Sequence, residues 1–214
     1  MPRRAQVSQA DYVSAAFEIS ARSGMQSLTL KALGEHLGLD ATAVYRHFRN
    51  KDTLLRAMLD QLLLGVLEDA TPSDDPVEEL TRLAVGLRPV LLAYPLLTRA
   101  LALTPDSAST SQHFTDRVLD GLRGLGLEGE SLVETYLLVE NYVIGACLLD
   151  SEGEGDSLEL RRRRFESVPD AAFRRVSKSV DDVRRVTEAS FAAGVRMLLD
   201  HACRTAGRAS LADA

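Results

Sequence analysis

The sequence predicts an all-α protein. Apolar residues recur at spacings of three and four along most of its 214 residues, as they do on one face of a helix. Residues that can cap the first turn of a helix precede several of these stretches. No stretch alternates apolar and polar residues in the way typical of a strand, and no fixed repeat occurs. Helices are therefore expected from one end of the chain to the other.

The first helix begins after Ser8. Asp11 lies three residues further on, which is the spacing of a capping box. Val13, Ala16 and Phe17 then fall on one face, and Gly24 is expected to end the helix.

Three more start signals follow in the next part of the chain. Thr29, Asp40 and Asn50 each carry a side-chain oxygen that can accept a hydrogen bond from a free backbone N–H. The sequence predicts short helices after the first two. The helix after Asn50 is expected to be long, because apolar residues keep their spacing up to a break at residues 71–76.

The remaining chain predicts further helices. One covers Val77 to Leu91, and Pro89 is expected to kink or split it because proline lacks a backbone N–H. Shorter helical pieces are expected after the Tyr94–Pro95 pair and after a turn at Pro105.

Two glycines, Gly124 and Gly126, precede a long apolar helix over Leu132 to Leu149. Residues 151–157 are expected to form a loop, and a last helix is expected from about Val180 to Arg204.

Charge divides the chain into two parts. Residues 1–56 contain 8 Lys and Arg against 5 Asp and Glu, a charge of +3, whereas the remaining residues contain 17 against 26, a charge of −9. The two parts are therefore expected to meet different partners.

Two cysteines are too few for a disulfide scaffold, and residues 1–6 lack the apolar run of a signal peptide. The sequence therefore predicts a cytoplasmic protein. The Leu132 to Leu149 segment approaches the length of a membrane span, but it contains Glu134, Glu140 and Asn141. Because charges are costly at that depth, a buried helix is expected instead and no membrane partner.

Residues 28–48 predict a helix-turn-helix. Leu30, Leu33 and Leu37 give one short helix an apolar face, and Gly38 can adopt the positive φ of a tight turn before the next. In such pairs the second helix enters a DNA major groove while the first crosses the backbone. Spacing alone leaves DNA binding about as probable as simple packing, and the +3 charge of this part favours DNA.

A wider run of residues carries a family resemblance. Leu28-Thr29, Leu33-Gly34 and Leu37-Gly38, then residues 44–52 with the order Val-Tyr-Arg-His-Phe-Arg-Asn-Lys-Asp, closely resemble the amino-terminal domain of TetR-type transcriptional regulators. The rest of the chain is similar only in its general layout of helices. Gly34 departs from the family's usual alanine and should weaken its helix by about 1 kcal/mol.

The resemblance implies a helix-turn-helix unit at 1–56, joined by a linking helix to a ligand-binding and dimerisation unit at 57–214. It implies a homodimer that binds a palindromic double-stranded operator and is released by a largely apolar small-molecule effector, with repression more expected than activation. The residues that it places at DNA are Thr29, Lys31, Tyr45, His47 and Lys51 at phosphates, and Ala41, Thr42, Ala43 and Arg46 nearest the bases.

Several of these residues allow a second interpretation. Tyr45 could lie partly in the core, since its ring tolerates both settings, and His47 could be an ordinary surface residue. Thr29 caps a helix in either case.

The second part offers candidates for an effector pocket and a dimer surface. Residues with apolar bodies and polar or aromatic ends are the pocket candidates, namely Tyr94, Phe114, Tyr136, Asn141 and Tyr142. Each could equally be ordinary core. The dimer surface is expected on the Leu132 to Leu149 helix and on the last helix at Val195 and Leu198.

Other classes of function find less support. The four histidines have no neighbours at metal-ligand spacing, no catalytic motif occurs, and no metal, cofactor or enzyme activity is expected. Arg161 to Arg164 is interpreted as a solvated or ion-paired run. The alternative to a regulator is a helical carrier or enzyme that uses only the acidic part, with the first helices serving as packing.

Overall fold

The structure, a computed structural model, describes residues 7–71, 73–103, 109–151 and 157–212. The regular structure of these residues is helical, and no strand occurs among them, which confirms the all-α prediction. A short 3₁₀ turn lies at Met25–Ser27. The α-helices are α1 (Gln9–Ser23), α2 (Leu30–Leu37), α3 (Ala41–Tyr45), α4 (Lys51–Asp69), α5 (Pro76–Ala93), α6 (Pro95–Leu103), α7 (Ser109–Gly124), α8 (Gly129–Ser151), α9 (Ser157–Glu166), α10 (Ala171–Val176) and α11 (Val180–Ala212).

The helix starts follow the predicted caps. Ser8 and Asp11 form the capping box of α1, and Thr29, Asp40 and Asn50 cap α2, α3 and α4. Each accepts a hydrogen bond from a backbone N–H two or three residues further on, as the sequence predicted.

Two predictions about helix ends need correction. Pro89 does not split α5, which continues to Ala93, so the split is wrong, whereas the alternative, a kink at Pro89, stays a prediction. Pro89 has no N–H to donate to the carbonyl of Val85, so one hydrogen bond of the helix is missing. Val85 is exposed, and water can donate to this carbonyl instead. Ser151 and Ser157 are helical rather than loop, while residues 152–156 and the Pro105 turn lie outside the described residues.

Two helices were not predicted from the sequence. α9 and α10 are short and polar, and neither contains a buried residue. Phe165 and Phe173 hold them together with ring centroids 5.4 Å apart in an edge-to-face arrangement. Because such helices lack an apolar stripe, their sequence shows little of the helical period.

The buried side chains form two clusters. The head cluster joins α1 to α4 with the start of α6 and consists of Tyr12, Val13, Ala15, Ala16, Leu28, Leu30, Leu33, Val44, Phe48, Leu54, Leu55, Met58 and Leu97. The body cluster lies where α5, α8 and α11 pack against one another, and α4 and α7 complete it. Helix α4 supplies both clusters, with Met58 in the head cluster and Leu63 and Val66 in the body cluster. It is therefore a continuous link between the two.

Candidate DNA-binding surface and ligand site

The turn between α2 and α3 has the predicted helix-turn-helix geometry. Gly38 has φ +63° and ψ 32°, the left-handed conformation in which glycine is favoured, and its N–H donates to Glu35 O and Gly34 O. Val44 and Phe48 are buried beside Leu33, so the apolar side of α3 is fixed on α2. The opposite side of α3 is left outside the core.

The side chains expected at DNA lie mostly on that outer side. Thr42, Tyr45, Arg46 and His47 are exposed, and Tyr45 is 58% exposed, so it is not a core residue. Ala43 is partly covered, and the side chain of Ala41 lies outside the described residues.

His47 is held in place by an aromatic neighbour. Its ring centroid lies 4.7 Å from that of Tyr12, which is itself packed edge-to-face against Phe48. The His47 ring therefore has a fixed position above the head cluster while remaining exposed.

Thr42 is engaged by the residue that caps its own helix. Its hydroxyl donates to Asp40 Oδ1 at 3.0 Å, and its backbone N–H donates to the same oxygen at 2.9 Å. These hydrogen bonds lower the pKa of the Asp40 carboxyl, the backbone bond most. The Thr42 oxygen thus keeps its acceptor capacity and its methyl group for a base edge, while its donor is already used.

Thr29, Lys31 and Lys51 lie around the start of α2 and α4. Thr29 is exposed, and its oxygen accepts from Ala32 N. Lys31 is exposed and pairs loosely with Glu35 at 3.7 Å. The Lys51 amine is partly buried and donates to the carbonyl of Met25 at 3.4 Å. The 3₁₀ turn therefore positions Lys51, and the long, weak bond leaves its charge available for a phosphate.

The predicted pocket residues do not form one group. Phe114, Tyr136 and Tyr142 pack against the body cluster, whereas Asn141 is exposed on the outer side of α8. Tyr94 packs against the head cluster instead, with its ring 5.5 Å from that of Phe17. Three of the five candidates therefore share the body cluster.

A buried polar network adjoins Tyr142 in the body cluster. Arg88 Nη2 donates to Asp150 at 2.5 Å, and both side chains are only 8% exposed. Arg161 of α9 donates to the other Asp150 oxygen. The guanidinium of Arg88 lies 4.6 Å from the ring centroid of Phe191, on which Tyr142 stacks.

One donor of this network has no acceptor among the described residues. Arg88 Nε is buried without a hydrogen-bond partner there, which is costly for a charged group. Burial also raises the pKa of Cys147, whose Sγ lies 3.9 Å from Arg88 Nη1, and that of Tyr142. The body cluster therefore contains an unsatisfied donor beside aromatic and thiol groups, a combination suited to an acceptor group on a ligand.

Sequence reasoning missed this network, although signals for it exist. Arg88 interrupts the apolar residues of α5, and Asp150 follows the apolar residues of α8 one position before the end of that helix, so each is a charge in an apolar setting. In the structure, Gly194 leaves room for Tyr142, because a Cβ there would lie 2.0 Å from the Tyr142 hydroxyl. The expectation for Arg161 to Arg164 agrees with the ion pairs that the first three of them form.

The proposed dimer residues have different surroundings. Val195 is fully buried in its own protomer, so the expectation that it faces a partner is not met; Leu198 is partly buried. The large apolar side chains that are exposed on these two helices are Val133, Leu137, Leu138 and Leu149 of α8 and Met197 of α11. Helix α8 is also long and apolar enough to cross a membrane by length and composition, but Val143 and Cys147 on its inner side are buried in the body cluster.

A helix-turn-helix linked to a larger helical body defines a class of transcriptional regulator. Two family models agree with this: residues 13–58 match the model described as bacterial regulatory proteins, tetR family, and residues 69–200 match the tetracyclin repressor-like C-terminal domain. The chain belongs to the TetR family of DNA-binding transcriptional regulators.

Relatives and solved structures extend over nearly the whole chain. An HTH-type transcriptional repressor of Mycobacterium tuberculosis is 28% identical, over 98% of this chain and 85% of its own length. The crystal structure of a possible TetR family regulator from Streptomyces coelicolor is 27% identical, with a TM-score of 0.70 over 91% of this chain and 98% of its own. A TetR variant from Acinetobacter baumannii in complex with minocycline has the same fold, with 23% identity and a TM-score of 0.69 over 91% and 92% of the two chains.

Proposed function

We propose that the protein is a ligand-responsive transcriptional repressor of the bacterial cytoplasm that binds a palindromic operator as a homodimer and is released by a small molecule. The observation that carries this proposal is α4. One helix of 19 residues supplies both the DNA-binding head cluster and the body cluster, so a change in the body can reach the head. The domain boundary that we propose lies within this helix, at residues 56 and 57.

DNA contact is assigned to the outer side of α3 and the adjoining helix starts. Thr42 and Arg46 are exposed where the recognition helix of a helix-turn-helix meets base edges, and Ala41 and Ala43 add only methyl groups. Thr29, Lys31, Tyr45, His47 and Lys51 surround that helix and are assigned to phosphates.

Dimerisation is assigned to the outer sides of α8 and α11. Several large apolar side chains are exposed there, Leu149 at 72% and Met197 at 65%, and a cover for them would remove apolar surface from water. One helix-turn-helix contacts too few base pairs for selectivity. A second copy of the chain would cover the exposed apolar side chains and would add a second helix-turn-helix for the other half-site.

The effector is assigned to the body cluster beside Arg88. Its buried Nε lacks an acceptor among the described residues, and the Phe191 ring, on which Tyr142 stacks, lies beside the guanidinium. We therefore infer a largely apolar effector with one hydrogen-bond acceptor or negatively charged group. The minocycline complex of the Acinetobacter protein supports a small-molecule site in this fold.

Selection from a random duplex library with the full-length protein tests the DNA-binding part. We expect a palindromic sequence with half-sites about 10 base pairs apart or a multiple of that, bound in a salt-dependent way. Recovery of no sequence preference would contradict it and would favour a carrier that uses the body alone. Light scattering at micromolar concentration tests the dimer, and a monomer there would exclude it.

A further inference from the structure

The ring of Tyr12 supports the His47 ring from the inner side of the head. Tyr12 belongs to α1 and is only 2% exposed, whereas His47 is exposed in the segment that joins α3 to α4. The two ring centroids lie 4.7 Å apart, and the ring planes make an angle of 41°. Tyr12 therefore contacts His47 from within the protein and is itself too buried to contact DNA.

Tyr12 is held firmly in its position. It belongs to the head cluster, and its ring packs edge-to-face against that of Phe48, with centroids 5.9 Å apart. Phe48 is 1% exposed, and its backbone N–H donates to the carbonyl of Val44 at 2.9 Å. Because a packed core allows little displacement of its side chains, the ring that supports His47 has a fixed place.

The His47 imidazole has no polar contact that could orient it instead. Its backbone N–H donates to the carbonyl of Val44 at 3.0 Å, which fixes the main chain but not the ring. Its ring nitrogens form no hydrogen bond or ion pair with other described residues. The ring of His36, by contrast, is hydrogen-bonded to Glu18 at 2.9 Å. The aromatic contact with Tyr12 is therefore what orients the His47 ring.

An oriented imidazole is suited to a phosphate contact. Immobilising a free side chain at an interface costs binding free energy, and a side chain that is already held avoids this cost. Both ring nitrogens of His47 are left to donate, and a protonated imidazole forms charge-assisted hydrogen bonds to phosphate. An aromatic ring beside the imidazole also favours its positive charge. The contact with Tyr12 thus provides, before DNA arrives, the order that the phosphate contact requires.

We propose that Tyr12 is a positioning residue for DNA binding, whose ring orients the His47 imidazole toward an operator phosphate. The proposal rests on the phosphate role assigned to His47 above, and it adds α1 to the helices that determine operator affinity. An aliphatic side chain could fill the same core position, so the ring rather than the burial of Tyr12 carries the effect.

Variants that keep or lose the ring separate this role from core packing. Tyr12→Phe keeps the ring and should bind the operator selected from the random library as the wild type does. Tyr12→Leu stays apolar but lacks the ring, and it should bind about 2- to 12-fold more weakly per protomer, the effect of one side chain that must be immobilised. Val13→Ala is the matched control, because Val13 is 3% exposed beside Tyr12 in the same cluster. It removes packing but no ring, and should bind as the wild type does.

A double-mutant cycle identifies the residue through which Tyr12 acts. His47→Ala alone should weaken operator binding at least as much as Tyr12→Leu does. The double variant should bind no more weakly than His47→Ala, because a side chain that is absent cannot be oriented. A purely structural effect of Tyr12 would instead multiply the two losses.

Ethylation interference gives a readout that a general loss of stability would not change. Ethylation of one phosphate per half-site should cease to inhibit binding by His47→Ala, and the same phosphate should lose its effect with Tyr12→Leu. Inhibition at this phosphate should persist with Tyr12→Phe and Val13→Ala.

Circular dichroism checks that each variant is folded. If Tyr12→Leu is not, Tyr12→Met carries the test, because methionine adapts to irregular core space and also lacks a ring. Multiplied losses in the double variant would overturn the proposal, and so would a Tyr12→Phe protein as weak as Tyr12→Leu or a Tyr12→Leu protein as tight as the wild type. Operator binding by the wild type is measured first. Its absence would overturn the regulator function and this proposal together, whereas the other outcomes concern Tyr12 alone.

Discussion

Replacing Asp150 by asparagine tests the buried network most directly. Asp150 and Arg88 are each 8% exposed, and the carboxylate accepts from Arg88 and from Arg161. Asparagine keeps the shape but removes the negative charge, so two guanidinium groups would remain beside each other without compensation. Breaking a buried ion pair from one side costs about 3–5 kcal/mol.

The expected loss is large enough to measure by thermal unfolding. For a chain of this length about 1 kcal/mol changes Tm by 2–4 °C, so Asp150→Asn should lower Tm by about 6–20 °C at a fixed protein concentration. Arg88→Met should cost less, because Asp150 keeps Arg161 and the methionine still covers Phe191. Asp150→Asn should cost more because it leaves two cations without an anion, whereas Arg88→Met leaves one cation and one anion.

An exposed pair provides the matched control. Arg123 and Asp120 form an ion pair three residues apart on α7 and are 56% and 70% exposed. Asp120→Asn should change stability by no more than about 0.5 kcal/mol. If Asp150→Asn were no more destabilising than Asp120→Asn, or if Arg88→Met lowered Tm more than Asp150→Asn does, the reasoning about this network would be refuted.

Four further predictions concern DNA, stability, assembly and pH. Lys51→Ala should weaken binding to all operators alike and reduce the slope of log affinity against log salt concentration by about one per head. Thr42→Ala should relax the sequence preference at one operator position per half-site by about 1–3 kcal/mol. Salt-dependent titrations measure both, and equal effects on all sequences would contradict these roles. Gly65→Ala should stabilise the protein by about 1 kcal/mol in urea unfolding, since its Cβ meets no atom, and a loss of stability would contradict that. Leu137→Glu should dissociate the dimer in light scattering without unfolding the protomer, because Leu137 is 46% exposed; an intact dimer would move the interface elsewhere. Hydrogen bonds from Arg162 and, to a smaller extent, Arg163 lower the pKa of Glu159 to about 2. The stabilisation that Glu159 contributes is therefore present above pH 4.5 and is lost as the pH falls toward 2. Carboxyl chemical shifts measure this pKa, and a titration of Glu159 near 4.5 would contradict the prediction.

Local signals explain why the head could be predicted well. Caps and the Gly38 turn act within a few residues, so Thr29, Asp40 and Asn50 indicate their helices directly from the sequence. The residues that follow each cap then need only an apolar side to be placed.

The body could be predicted less well because its site is built from distant residues. Arg88 and Asp150 are 62 positions apart, and nothing local in either segment indicates the other. Val195 shows the same difficulty, because a helical stripe identifies a buried side but not whether it is buried within one protomer or between two.

The length of α4 explains how a small change in the body could be effective under the proposed mechanism. A helix of 19 residues is about 28 Å long, so a tilt of about 5° at its body end would move its head end by about 2.5 Å. With two protomers the head spacing would change by up to about 5 Å, against half-sites about 34 Å apart. Met58 is buried in the head cluster and Leu63 in the body cluster, so α4 is anchored in both and a tilt of this helix would be transmitted from one cluster to the other. An effector beside Arg88 would thus release DNA only if it fits the tilted arrangement better, and operator DNA would then weaken effector binding by the same factor.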